Sequence, residues 1–269
     1  MKIEGCYASS LDECSGKISD EHVLSKSILD DHIQITFNGK TTKYKKGEYI
    51  LPNLCSYHNS KLSPADNQMA AFTRFMFEDS ELFDPIKNGS VLENSIKFPR
   101  RINVRGKNLE NWILKTAINH SWKRNNRKPN LNFNYICKRL FQKKQFEYPF
   151  GLSIYQIDDP LRGQFQGASE FYDHSVIHDL TLEEELYGFT VNAQGTVFFI
   201  LLPTEHSHLV HKGGVNFNGK NYKIRMHLPS ETQEEFGSPT LIWHPKGYQT
   251  TQLNYEGIRI MRSLISIKW

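Results

Sequence analysis

Ser19-Asp20-Glu21-His22 and Leu54-Cys55-Ser56-Tyr57-His58-Asn59 are the two stretches that decide how the N-terminal part of the chain folds. In the first, an acidic residue directly precedes a histidine. In the second, a cysteine and a histidine three residues apart lead straight into an asparagine. Cys14 lies eight residues before His22. The order of these residue types indicates a small metal-binding module.

This order resembles that of the HNH endonucleases, whose ββα-metal module carries an acidic residue and a histidine on a strand and a final Asn or His on the helix. The resemblance covers residues 6–78. It implies that His22 is a general base, and that Glu21 and Asn59 bind a catalytic Mg²⁺ or Mn²⁺. The residue types suit these roles, because imidazole titrates near neutral pH and carboxylate and amide oxygens are hard ligands. The alternative for His22 is an ordinary hydrogen-bonded histidine.

Glu21 and His22 are neighbours, and neighbours on a strand point to opposite faces. We therefore expect an irregularity in this strand, as the HNH module has. The resemblance also offers Asn53 as the asparagine that positions the base, Lys61 as a phosphate contact and Asp66 as an orienting acid. Asp66 suits equally well an acid in the first turn of a helix, where the macrodipole favours it.

Many HNH members add a zinc knuckle, and the sequence offers ligands for one. Cys6, Cys14, Cys55 and His58 have the soft sulfur and imidazole donors of a closed structural Zn²⁺ site. The gap between Cys6 and Cys14 is wider than in a Cys-x-x-Cys knuckle. Isolated buried side chains are the alternative. Cys137 has no paired ligand nearby and is interpreted as a buried structural thiol.

Turn and cap signals place the other N-terminal elements. Residues 32–50 predict a β-hairpin, with Asn38-Gly39 as its turn. Ser63 and Pro64 predict the start of a helix, as the N-cap and the first helical residue.

Positive charge is concentrated in the middle of the chain. Residues 87–150 carry 15 basic and 3 acidic side chains, which gives +12, whereas the whole chain is only +4. Such a block predicts contact with a polyanion, and a solvated lysine-rich face is the alternative. Helices are expected at 108–122, with an amphipathic pattern, and at 133–144. The residues predicted to bind nucleic acid are Lys123, Arg124, Arg127 and Lys128.

Length and composition indicate an ordinary globular protein of one or two domains. No run approaches the ~20 apolar residues of a membrane helix, and we expect neither a signal sequence nor a membrane partner, hence a cytoplasmic location. Strands are predicted at 187–191, 196–202, 215–217 and 222–226, and residues 258–264 fit helix or strand. The prediction is an α+β chain with an HNH module at 1–86, a basic helical segment at 87–150 and a β-rich recognition or partner domain at 151–269.

The function expected from the resemblance is metal-dependent hydrolysis of DNA phosphodiester bonds, in restriction or anti-phage defence. RNA is the alternative substrate. A zinc-stabilised nucleic-acid-binding protein that no longer cleaves is a different interpretation of the same residues, and a nuclease subunit of a larger assembly is a third. A single module holds one site, so double-strand cleavage calls for a homodimer or sequential nicks, and a defence-system protein is the other expected partner.

Overall fold

The computed structural model of the chain describes residues 1–25, 32–37, 40–45, 47–87, 101–146, 150–156, 177–182, 185–193, 196–204, 240–243, 250–254 and 262–268. These residues form a mixed structure of helices and strands, in agreement with the predicted α+β class.

The N-terminal part is a strand pair followed by a long helix. β1 (Ile18–His22) pairs antiparallel with β4 (Ile50–Cys55), and α1 (Ser56–Lys87) follows β4 without a loop. In the segment of the chain that connects β1 to β4, β2 (His32–Phe37) and β3 (Lys40–Lys45) form the predicted antiparallel hairpin. Its turn lies outside the described residues.

The predicted start of the helix is wrong. α1 begins at Ser56, so Ser63 and Pro64 lie inside it rather than at its first turn. The helical turn that starts directly after β4 brings His58 Nδ1 to 3.1 Å from Cys55 Sγ. The local cap signal at Ser63 is therefore overridden by contacts around the two candidate metal ligands.

α2 (Gly106–Asn125) is the central helix and follows β5 (Arg101–Arg105) directly. It contacts α1 and β4, and it also contacts β6 (Gly151–Gln156), β8 (Glu185–Ala193) and β9 (Thr196–Leu201). Every residue from 112 to 121 is buried. The expected amphipathic pattern is thus corrected, because neighbours on several sides leave this part of the helix no solvent-facing side.

α3 (Phe133–Phe141) is shorter than the predicted 133–144 and is capped by Asn132, whose side chain accepts a hydrogen bond from the Tyr135 N–H. β6, β8 and β9 join β7 (Ile177–Leu182) and β10 (Thr240–Trp243) in a five-stranded sheet of order β10-β6-β9-β8-β7. β8 and β9 confirm the strands predicted at 187–191 and 196–202. The strands predicted at 215–217 and 222–226 lie outside the described residues.

A three-stranded sheet joins distant parts of the chain. β11 (Thr250–Asn254) pairs antiparallel with β12 (Arg262–Lys268), and β12 pairs in parallel with β5. Residues 262–264 are therefore strand. The part of 258–264 before residue 262 lies outside the described residues.

One hydrophobic core extends through the three predicted segments. Buried side chains of the N-terminal loop, the three helices and the five-stranded sheet belong to a single cluster. Phe72 of α1, for example, packs edge-on against Phe198 of β9 with ring centroids 5.4 Å apart. The domain boundaries at 86/87 and 150/151 stay predictions.

Candidate metal centre and neighbouring acidic site

The four predicted zinc ligands meet in one buried cluster, called here the Cys3His cluster (Cys6, Cys14, Cys55 and His58). Their ligand atoms all lie within 4.8 Å of one another. His58 Nδ1 is 3.1 Å from Cys55 Sγ, 3.6 Å from Cys6 Sγ and 3.7 Å from Cys14 Sγ.

These distances suit a tetrahedral ion. Bonds of about 2.3 Å to sulfur and about 2.0–2.1 Å to nitrogen, at tetrahedral angles, put the nitrogen roughly 3.6 Å from each sulfur. Two of the three observed distances match this value and the third is somewhat shorter. Three cysteines and one histidine are a zinc ligand set that leaves no open position for water. The cluster is therefore compatible with a structural metal such as zinc.

The elements around the cluster explain how widely spaced ligands converge. Cys6 and Cys14 lie on an N-terminal loop that contains a short 3-10 helix, Ser9–Leu11, which takes up the wide gap between them. Cys55 ends β4, and His58 lies in the first turn of α1. The cluster thus fastens the N-terminal loop to the junction of β4 and α1.

Burial acts on the ionisation of these side chains. It raises the pKa of Cys6 to about 12 and lowers the pKa of His58, which favours the neutral imidazole that binds metals. Burial also raises the pKa of Cys55, but hydrogen bonds from backbone N–H groups and neighbouring thiols outweigh it and leave that pKa lowered. A bound cation favours the thiolate at each cysteine, so metal binding releases protons.

Cys137 lies outside the cluster. It is buried in α3, its thiol donates to the Tyr7 carbonyl oxygen over 3.4 Å, and burial raises its pKa to about 12. This placement agrees with a buried structural thiol.

A second group of polar side chains contains three charges and is called here the Lys115 trio (Lys115, Glu21 and Asp66). Lys115 Nζ donates to Glu21 Oε1 over 2.8 Å and to Asp66 Oδ1 over 2.6 Å. The Lys115 side chain is 0% exposed and that of Glu21 4%, whereas that of Asp66 is 23% exposed. The trio therefore joins β1, α1 and α2 and reaches solvent through Asp66.

Hydrogen bonds extend the trio on the Asp66 side. The Ser25 hydroxyl donates to Asp66 Oδ1, and Trp112 Nε1 donates to Ser25 Oγ over 2.8 Å. Burial by itself lowers the pKa of Lys115, but the charges of Glu21 and Asp66 outweigh it and raise that pKa. Burial raises the pKa of Glu21, and Lys115 offsets only part of this effect.

The other two predicted catalytic residues lie at opposite ends of β1. His22 is half-buried at the last position of β1, opposite Ile50. Asn59 lies in the first turn of α1, and its Nδ2 donates to Ser19 Oγ over 3.1 Å. Glu21 and Asn59 thus each have a protein partner, and the catalytic roles of the three residues stay predictions.

The pairing of β1 with β4 contains an irregularity, but not at the step between Glu21 and His22 where it was expected. The pairing shifts between Ser19 and Asp20, with Asn53 as the extra residue in β4, whereas Glu21 and His22 pair in regular register with Leu51 and Ile50. A bulge of this kind re-aims side chains. The buried Asn53 Nδ2 donates to Asn119 Oδ1 over 2.7 Å, so Asn53 ties β4 to α2. A role in positioning the base stays a prediction.

Lys61, the predicted phosphate contact in α1, has local partners. Its ammonium lies 2.8 Å from Glu13 Oε2 and 4.3 Å from the centroid of the Tyr57 ring. Both partners belong to the surroundings of the Cys3His cluster.

The predicted nucleic-acid contacts lie at the end of α2 and directly after it. Residue 126 ends the helix in a left-handed conformation with φ 51°, and Arg127 and Lys128 after it are exposed. Lys128 Nζ lies 3.9 Å from the centroid of the Phe133 ring. Positive charge is also favourable at a helix C-terminus. We call this set the basic turn: Lys123, Arg124, Arg127 and Lys128.

The sequence did not predict the role of Lys115. It lies in the run Trp112-Ile113-Leu114-Lys115, and a lysine within a buried apolar helix is almost always paired. That pattern could have indicated a buried cation. It does not indicate which carboxylate binds the lysine, because Glu21 is 94 positions away in the sequence.

Within the part of the chain that the structure describes, no helix combines the length and the apolar character needed to cross a membrane. Comparison of the chain with protein-family models, with curated proteins and with solved structures gives no match.

Proposed function

We propose that the chain is a metal-dependent endonuclease of the HNH type that hydrolyses DNA phosphodiester bonds. The observation that carries the proposal is the Cys3His cluster at the junction of β4 and α1. The cluster fastens the loop that leads into β1, the strand of Glu21 and His22, to the start of α1, the helix of Asn59. In the module that the chain resembles, a strand and a helix held by a zinc knuckle carry the base and the metal ligands.

In the proposed reaction His22 accepts the proton of the attacking water, whose oxygen forms the new bond to phosphorus. The bond from phosphorus to the 3′ oxygen breaks, and the leaving oxygen takes a proton from solvent water, which leaves a 5′-phosphate and a 3′-hydroxyl. Glu21 and Asn59 supply oxygen ligands for Mg²⁺ or Mn²⁺. When bound, such an ion neutralises charge on the phosphate and on the leaving oxygen. The basic turn supports the proposal as a surface that can bind DNA phosphates. Contacts to phosphates do not distinguish one base sequence from another.

A second function is favoured by a specific observation. Lys115 already binds the Glu21 carboxylate, and the Asn59 amide already donates to Ser19. A zinc-stabilised protein that binds nucleic acid without cleaving it needs no free ligand at these positions. The Cys3His cluster and the basic turn would serve it equally well.

Plasmid nicking separates the two functions. Zinc-loaded protein is incubated with supercoiled plasmid and Mg²⁺ or Mn²⁺, alongside His22→Ala and the control Asp20→Asn, which changes an exposed residue of the same strand. The nuclease predicts nicking by the parent and by Asp20→Asn, and none by His22→Ala.

Anisotropy with a labelled duplex measures binding in the same samples. If all three proteins bind equally and none cleaves, the non-cleaving function replaces the nuclease. If His22→Ala nicks as fast as the parent, His22 is not the base.

A further inference from the structure

Lys115 is the positively charged partner of two carboxylates, those of Glu21 and Asp66. Its ammonium makes charge-assisted hydrogen bonds to Glu21 and Asp66, and its side chain is completely buried. Buried lysines are tolerated where carboxylates compensate them in this way. The pair contributes two negative charges against one positive charge, so the trio retains one negative charge when all three groups are ionised.

Glu21 is also the residue that the proposed function uses as a ligand of the catalytic cation. The inference rests on the proposed function in this respect alone. A divalent ion on Glu21 would lie within a few ångströms of the Lys115 ammonium. Like charges so close together repel strongly where little water screens them.

The geometry therefore points to competition: we propose that Lys115 and a divalent cation bind Glu21 in mutually exclusive fashion, with Lys115 as the resident cation of the described structure. Lys115 is then a positioning residue, which acts on the metal through Glu21. A cation would approach from the side of Asp66, the one member of the trio that is partly exposed.

This competition makes α2 part of the proposed active site. α2 lies outside the segment that resembles the HNH module, yet it contributes the side chain that controls Glu21. The basic turn lies on the same helix, and Arg124 is nine residues after Lys115, which is about 13 Å along the axis. The basic turn and the lysine that binds Glu21 thus lie on or directly after one helix.

Mn²⁺ binding tests the inference without relying on cleavage. Free Mn²⁺ is measured by electron paramagnetic resonance with zinc-loaded parent, Lys115→Met, and Lys115→Met combined with Glu21→Gln. Lys43→Met is the control, because it removes the same charge from an exposed position of the β2–β3 hairpin. We expect Lys115→Met to bind Mn²⁺ at least about tenfold more tightly than the parent, a typical coupling between two sites. We expect the double variant to lose this gain and Lys43→Met to match the parent.

A measurement on the parent covers the case in which Lys115→Met fails to fold. Lysine acetylation is followed by mass spectrometry with and without saturating Mn²⁺. Lys115 is expected to be protected in the absence of Mn²⁺ and to react faster in its presence. Lys107, 20% exposed on the same helix, is the reference whose rate should not change.

The outcomes separate this inference from the proposed function. Tighter Mn²⁺ binding by Lys115→Met without nicking by any variant supports the competition and removes the nuclease. Nicking that depends on His22, with Mn²⁺ affinity equal or weaker in Lys115→Met, keeps the nuclease and overturns the competition. If Lys115 stays protected at saturating Mn²⁺, or neither protein binds Mn²⁺, the competition is overturned as well.

Discussion

Removal of the metal from the Cys3His cluster is expected to destabilise the fold by about 4 kcal/mol. Cys14 and His58 are 44 positions apart, and an ion that links them closes a long loop of the unfolded chain. The chain-entropy relation for a cross-link of this length gives a loss of about 13 cal/mol/K, or about 4 kcal/mol at 25 °C. For a chain of this size the unfolding temperature should fall by about 8–16 °C.

Thermal unfolding followed by circular dichroism, with zinc or with a chelator, measures this shift. Metal content is determined on the same samples. We expect one zinc ion per chain in the parent, because the ligand atoms form a single cluster. Cys14→Ser should lose most of the zinc and should no longer respond to the chelator. Cys137→Ser is the matched control, since it alters a buried cysteine outside the cluster.

Two results would contradict a stabilising ion in the Cys3His cluster. One is a parent that, purified with zinc present, holds no more zinc than Cys14→Ser. The other is a chelator response of the same size in the parent and in Cys14→Ser. Either would mean that the buried cysteines pack as ordinary apolar side chains.

Three further predictions follow from named contacts. Lys115→Met leaves Glu21 and Asp66 without their cation, so urea unfolding should show that the free energy of unfolding falls by about 3–5 kcal/mol. Lys61→Met should lower it by less than ~1 kcal/mol, and equal losses would contradict a buried ion trio. Alanine at all four positions of the basic turn should weaken DNA binding and reduce the slope of log K against log salt by about 0.9 for each phosphate that the protein no longer neutralises. An unchanged slope would place the DNA elsewhere. Asn119→Ala removes the acceptor of the buried amide that ties β4 to α2, so we expect a loss of about 1–3 kcal/mol in the same urea assay. A loss within experimental error would mean that this amide finds another acceptor.

Features that depend on short-range chemistry could be predicted from the sequence alone. The ligand types and their order predicted the Cys3His cluster, because three cysteines and one histidine are a typical ligand set of a structural zinc site. The alternating pattern of residues 32–37 predicted a hairpin, as observed. The start of α1 was missed because a local cap signal competed with the geometry of the cluster.

The partners of Glu21 and Asn53 follow from tertiary packing and not from the local sequence. Glu21 binds Lys115 across 94 positions and Asn53 binds Asn119 across 66, and no local pattern encodes either partner. The burial of α2 and the parallel pairing of β12 with β5 also depend on contacts between elements that are far apart in the sequence. A buried charge or amide must be compensated, and the sequence reveals that need. Which group meets it depends on how distant elements pack, because the contact forms only when the chain has closed around it.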